Sequence, residues 1–482
     1  MPHRLARLLP ALLLALAAAT PVAALPPDSD PWIEVRTEHF VLYSDAPESF
    51  TRAVGRRLET FRDVLGRLNP DLRVESPLPT SIYVFADDHA FEPYKRKVGS
   101  RPSDMDGYFV AHRDGNYVAV NARPEGDPFL PVYHEYVHFF MNTNFDNLPL
   151  WFNEGIAEFY STMRLTADGV EVGRPLGVYA RFLHASRPLR LAGLMAVTTD
   201  SPAYNERTRQ GIFYAESWAL VHYLIMDAPA WRENLVARLR RLDRGEPLQA
   251  LVAPVDLETL QARFFDYIRR GRYRFNIIDL KTLAPDDRAT VTPMTRPDVL
   301  YRLGDFLAHG EGNRAADAEA HFRAALAIDP RHAPSLAGLG FLRDGQGRFA
   351  EASAYYERAL ALAPDDPRTC ALYAGSLMLR HFQDGVARFR VSDATPPDFA
   401  RARALFLKSL SLGPPTGTIY AGLGSTYAFD RTGLGPGIAA LETAHRLLPS
   451  RHDIVYNLVG LYARDGDRDK AQRLVEEVLD RG

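Results

Sequence analysis

His134 and His138 stand four residues apart and enclose Glu135 in the run His134-Glu135-Tyr136-Val137-His138. Four steps along an α-helix return a side chain to the same face, so both imidazoles can converge on one cation, with Glu135 leaning over a water bound to it. Zinc held this way needs a third protein ligand and keeps a fourth position open. The stretch after His138, FFMNTNFDN, offers no third histidine. Glu154, within WFNEGIAEFY, is the carboxylate that a short turn would fold back against the first helix. Gly155 permits close helix approach there, and Glu158, one turn beyond Glu154, can accept the spare N–H of a ligating imidazole. The plainer alternative is a helix with Tyr133, Val137 and Phe140 in the core and two surface histidines, with Glu154 and Glu158 on a solvated face.

These groups need packed helices on a firm support. The periodicity predicts helices between Pro128 and Thr143, from about Leu150, and over Phe213 to Met226, Pro229 to Arg241 and Leu257 to Arg270. A further helix is predicted over Glu48–Leu68, with Phe50, Val54, Leu58, Phe61, Leu65 and Leu68 as its apolar face. Strand is predicted in the alternating Trp32 to Ser44, with Val35, Phe40 and Leu42 half-buried, and at Ser81 to Phe85, and GYFVA and NYVAV form a hairpin across HRDGN. Strands and helices mixed without regular alternation point to an α+β domain over 30–275. The Pro-, Asp- and Thr-rich 276–296 reads as a linker.

HEYVH followed by WFNEGIAE resembles the gluzincin metallopeptidases, of the thermolysin and peptidase MA-like type. The resemblance implies an α+β zincin-like domain, Zn²⁺ on His134, His138 and Glu154, Glu135 as general base, and Glu158 as supporting acid. FYAESWALVHYL is similar to the segment where related aminopeptidases place an oxyanion-stabilising tyrosine, which makes Tyr214 the matching residue; in the alternative, Tyr214 packs in the core with Trp218 and His222, and His222 is a second candidate for the role. The aminopeptidases' G-A-M-E-N strand has no counterpart before His134, so endopeptidase action is implied. In that architecture an exposed strand beside the metal pairs with extended substrate; the candidate is Asn116 to Ala122, with Asn116 and Asn121 as substrate-binding residues.

From 297 to 482 the chain repeats itself. AEAHFRAALAIDP and AEASAYYERALALAP end at Pro330 and Pro364, a period of 364 − 330 = 34 residues. With small residues at Ala320, Ala324, Ala354 and Ala359, this resembles the tetratricopeptide repeat. About five paired-helix units are expected, the third with an insertion, giving an all-α solenoid that docks a protein partner or substrate.

The N-terminal MPHRLARLLPALLLALAAATPVAA combines basic residues, a short apolar run and small residues before a cleavage point after Ala24. It reads as a removable secretory signal over 1–24, so the mature chain is expected in the periplasm or secreted, with no transmembrane anchor. Of 482 residues 46% are hydrophobic and 24% charged, which excludes disorder. A net charge of −3 gives no footprint for nucleic acid. The single cysteine, Cys370, precludes an internal disulfide or thiolate cluster, so any metal site uses His and carboxylate. Two functions are consistent with these features: a secreted zinc endopeptidase acting on protein or peptide substrate, or a non-catalytic periplasmic scaffold working through its repeats.

Overall fold

The computed structural model describes residues 25–479, apart from 247–255, 280–287, 382–394 and interruptions of one to three residues. The expected signal at 1–24 and most of the insertion expected in the third repeat lie outside the described residues.

Strand β1 (Ile33–Arg36) runs antiparallel to β2 (Phe40–Ser44), and helix α1 (Glu48–Leu68) carries the chain to β3 (Thr80–Phe85), which lies parallel to β2. A hairpin follows, β4 (Gly107–Ala111) to β5 (Asn116–Asn121), with Ala111 opposite Asn116. Strand β5 pairs parallel with β3, so β5 is interior and β4 forms the edge. At the far edge β6 (Thr290–Pro293) pairs with β1. The sheet order is therefore β6-β1-β2-β3-β5-β4.

Successive side chains of a strand point to opposite faces, and both faces of this sheet are covered. Ile82 and Val84, with Val118 and Val120, point into one core that they share with Val54, Leu58 and Phe61 of α1. Tyr83, Phe85 and Tyr117 point the other way, into a second core built with Leu303, Phe306 and Leu307. These three belong to α6 (Arg296–His309), the first helix of the repeats.

Helix α2 (Phe129–Asn144) carries the H-E-x-x-H run. Pro131 is tolerated there because it sits in the first turn, where a backbone N–H has no helical partner. Tyr133, Val137 and Phe140 are buried as expected, and Tyr133 stacks on Phe61 of α1 with centroids 3.9 Å apart. After a short turn, α3 (Leu150–Ser161) packs against α2 and against α4 (Arg207–Met226). A β-carbon on Gly155 would lie 2.4 Å from the Ser217 carbonyl oxygen of α4, so glycine allows this approach. The helix expected over Pro229 to Arg241 is two pieces, Pro229–Arg232 and Leu235–Asp243, while Leu257–Arg270 forms as expected.

The linker expected over 276–296 is strand at both of its ends. Asn276–Ile278 pairs with Val170–Val172, and β6 closes the sheet against β1. The β-branched Thr-Val-Thr run suits an edge strand and prevails over the loop signal of the surrounding Pro and Asp, with Pro293 tolerated at the edge.

Beyond α6 come helices Ala315–Ile328, Ala333–Gly345, Phe349–Leu362, Pro367–Leu379, Pro397–Leu412, Gly417–Ser425, Gly435–Leu447, His452–Asp465 and Arg468–Leu479. Each pairs with its neighbour to form a helical solenoid. The fully buried small residues are Ala318 and Ala325, then Ala352 and Ala359, rather than Ala320, Ala324 and Ala354. Among the described residues no helix is long and apolar enough to cross a membrane.

Candidate metal centre

Helix periodicity brings His134 and His138 to one face of α2, and their Nε2 atoms lie 3.0 Å apart. Glu154 of α3 completes the group. Its Oε2 lies 3.3 Å from His134 Nε2 and 3.4 Å from His138 Nε2. Four ligands at about 2.0–2.1 Å in a tetrahedron stand about 3.3–3.4 Å from one another, so these separations match three corners of a zinc site.

The tautomers follow from the outer contacts. His134 Nδ1 faces Glu158 Oε1 at 3.3 Å, and His138 Nδ1 faces Asn153 Oδ1 at 3.2 Å. With each Nδ1–H donating outward, each neutral ring turns a lone pair inward from Nε2. Glu154 Oε2 is buried and has no hydrogen-bond partner. Three lone-pair atoms thus converge on one point, an arrangement that calls for a cation, and the donor set of two imidazoles and one carboxylate fits Zn²⁺.

The same geometry sets the electrostatics. Burial raises the Glu154 carboxyl, but the imidazoles of His134 and His138 outweigh it and hold it at about 2. Burial lowers His134, yet Glu154 and Glu158 push it up to about 10, so without a metal ion this imidazole takes a proton in the cation's place, and the neutral lone-pair form is the one a bound metal would require. Tyr204 donates to Glu154 Oε1 at 3.2 Å, which leaves Oε2 for the imidazoles. Its phenol is raised by burial and by the charge of Glu154, with a smaller effect from Glu135. Glu135, next to His134 on α2, is half-buried. The Tyr214 ring is 6.3 Å from that of His134 and 6.2 Å from that of Tyr204.

The structure therefore brings together His134, His138, Glu154 and Glu158, with Glu135 and Tyr214 beside them. It does not bring Asn116 and Asn121 into a substrate site. Both are 1% exposed on the interior strand β5, where Asn116 Nδ2 donates to Thr80 Oγ1 and Asn121 Nδ2 to Asp106 Oδ1. The expectation of an exposed strand at 116–122 fails because β4 and β3 pair with both of its edges and the repeats cover its second face. His222 is likewise a core residue, with Nε2 bonded to the Gly173 carbonyl at 2.8 Å and Nδ1 to the Tyr267 hydroxyl at 2.6 Å.

Sequence reasoning missed Asn153 and Tyr204. Asn153 adjoins Glu154 on α3, so the helix that delivers the carboxylate was its signal. Tyr204 lies in the four-residue helix Pro202–Asn205, whose position no periodicity marks.

Residues 311–375 match the family described as tetratricopeptide repeat, and residues 131–249 match one described as protein of unknown function (DUF1570). The second match takes in α3, α4 and nearly all of α2. No curated protein matches the chain. Among solved structures, the crystal structure of MamA is similar at 16% identity, covering 39% of this chain and 95% of that one with a TM-score of 0.29. The human IFIT1 dimer with m7Gppp-AAAA is similar at 16% identity over 63% of this chain and 71% of that one, with a TM-score of 0.24. The repeat match agrees with the paired helices: the C-terminal region is a tetratricopeptide-type solenoid, an architecture suited to protein partners.

Proposed function

We propose that this chain is a zinc-dependent endopeptidase of the gluzincin type, acting in the periplasm or as a secreted protein, with its repeats docking a partner or substrate protein. The observation that carries the proposal is the convergence of His134 Nε2, His138 Nε2 and the unpartnered Glu154 Oε2 beside Glu135. A bound zinc ion supplies Lewis acidity, polarising a carbonyl and acidifying a water. Glu135 takes the proton from the attacking water and returns it to the leaving amide nitrogen. Tyr214, whose ring lies 6.3 Å from that of His134, takes the role of donor to the developing oxyanion. Glu158 and Asn153 hold the two imidazoles in orientation.

Extended substrate requires an unpaired strand edge, and β4 ends the sheet on this side. Its Phe109 packs on Tyr136 and Phe139 of α2, with centroids 6.1 and 6.0 Å apart, so this edge runs beside the helix of the metal ligands. Gly107–Ala111 therefore replaces Asn116–Ala122 as the substrate strand.

Cleavage of an unfolded protein by the purified chain, measured with metal content, tests the proposal. Glu135→Gln is expected to retain zinc and lose about 10²–10⁴-fold in rate, the usual range for a lost general base. A zinc-loaded native chain that cleaves nothing, or a variant as active as wild type, would leave the non-catalytic scaffold as the better reading.

A further inference from the structure

A second group of ligating side chains lies where the sheet meets the repeats. His112 and Asp114 sit in the turn of the β4–β5 hairpin, and His309 ends α6. One ligand atom from each lies within 4.8 Å of the other two. One Asp114 oxygen contacts His112 Nδ1, and the other stands 3.1 Å from His309 Nε2.

His309 is held with little freedom. Its ring stacks between Tyr117 and Phe341, with centroids 4.7 and 4.6 Å away. Its Nδ1 bonds the Asp305 carbonyl oxygen at 2.7 Å, so Nδ1 carries the proton and a neutral ring directs its Nε2 lone pair at the Asp114 carboxylate. Asp305 is fixed in turn by both guanidinium nitrogens of Arg368, at 2.7 and 2.8 Å. Two acceptors 3.1 Å apart need a cation or a proton between them. The rings of His112 and His309 meet at 4.7 Å and 85°, nearly the disposition of His134 and His138 at 4.6 Å and 84°.

We propose that His112, Asp114 and His309 form a second site, for a divalent transition ion of the zinc class, which ties the hairpin turn to the first repeat helix. Two imidazoles and one carboxylate select zinc, cobalt or nickel over magnesium or calcium. The His112 and Asp114 side chains are 36% and 26% exposed, which gives the ion a route in and leaves water to complete its shell. The ion adds to an apolar junction that already carries polar contacts, Tyr94 to His321 at 2.9 Å and Arg314 to the Pro93 carbonyl at 2.6 Å, so its role is to hold the hairpin turn in register with the first repeat helix. This site is distinct from the centre on α2 and α3 and does not depend on peptidase activity.

The test uses the full-length chain with the first site removed, His134→Gln with His138→Gln, and zinc alone as the probe. About one zinc per chain is expected to survive dialysis, and added zinc should raise the melting temperature by several degrees. Adding His112→Gln and Asp114→Asn, on the partly exposed turn, should abolish both effects. Should the first pair of substitutions prevent folding, wild type is compared with His112→Gln alone, where the metal content should fall from two per chain to one. Cobalt substitution gives a second readout, because its visible spectrum should lose one component in His112→Gln. Absence of zinc from the His134→Gln/His138→Gln protein, or metal content and melting unaffected by His112→Gln, would overturn the proposal and leave the junction bridged by a proton and ion pairs.

Discussion

Tyr83 and Phe306 stack with ring centroids 4.5 Å apart and planes 26° from parallel, one ring from the centre of the sheet and the other from the first repeat helix. Tyr108 adds a second ring against Phe306 at 5.9 Å, and all three are buried. Removing an aromatic ring from such a core costs about 3–5 kcal/mol. Phe306→Ala is therefore expected to uncouple the repeats from the sheet and separate one denaturant transition into two. A single transition at the wild-type midpoint would show that the junction draws its stability from elsewhere.

That junction also marks where the sequence stops being legible. The convergence of His134, His138 and Glu154 could be read because helix spacing alone nearly fixes the relation of the first two, and a short turn limits where the third can fall. Helices Glu48–Leu68 and Leu257–Arg270 form over the expected spans, although Leu68, placed on the apolar face of the first, is exposed at its C-terminal end. NYVAVN was misread because the resemblance implies an exposed strand and a hairpin does not itself say which of its strands lies at the edge, whereas Tyr117 and Ala119 face a repeat helix some 190 residues away in the chain. Tyr204 acts on the site through tertiary placement, which leaves no period in the sequence.

Tyr204 tests how far that placement matters. Its hydroxyl holds Glu154 Oε1 and so turns Oε2 toward the imidazoles. Loss of such an outer partner weakens metal binding by about 10–100-fold. Tyr204→Phe should release zinc to a competing chelator correspondingly sooner, with the fold intact by circular dichroism. Unchanged retention would remove Tyr204 from the centre.

Gly155→Ala probes the contact of α3 with α4. The added carbon would meet the Ser217 carbonyl oxygen at 2.4 Å and its carbon at 2.7 Å, backbone atoms that cannot swing aside. Overpacking of this kind costs about 1–3 kcal/mol, and here the upper end is expected. Because Glu154 precedes Gly155, the displacement should also lower zinc content. Gly193→Ala is the control: a β-carbon there meets nothing within 4 Å, so stability should hold or rise slightly. Equal effects at the two positions would contradict the close-approach argument.

Glu216 gives a dependence on pH that is separate from the metal. It lies on α4, 1% exposed, where its carboxylate oxygens accept from the Leu189 backbone N–H at 3.1 Å. Burial raises its pKa from 4.5 to about 7, against the opposing pull of that N–H. Between these values the folded chain keeps a proton that the unfolded chain has released. Stability from this group is thus greatest below about pH 4.5 and falls as pH rises towards 7. At about 1.4 kcal/mol per unit of pKa, the loss is at most about 3.5 kcal/mol. Glu216→Gln has no proton to lose, so its urea midpoint should change less than that of wild type between about pH 5 and pH 8. Other titrating groups act equally on both proteins and cancel in the difference. Parallel midpoint curves for the two would mean that water reaches the Glu216 carboxylate in the folded chain.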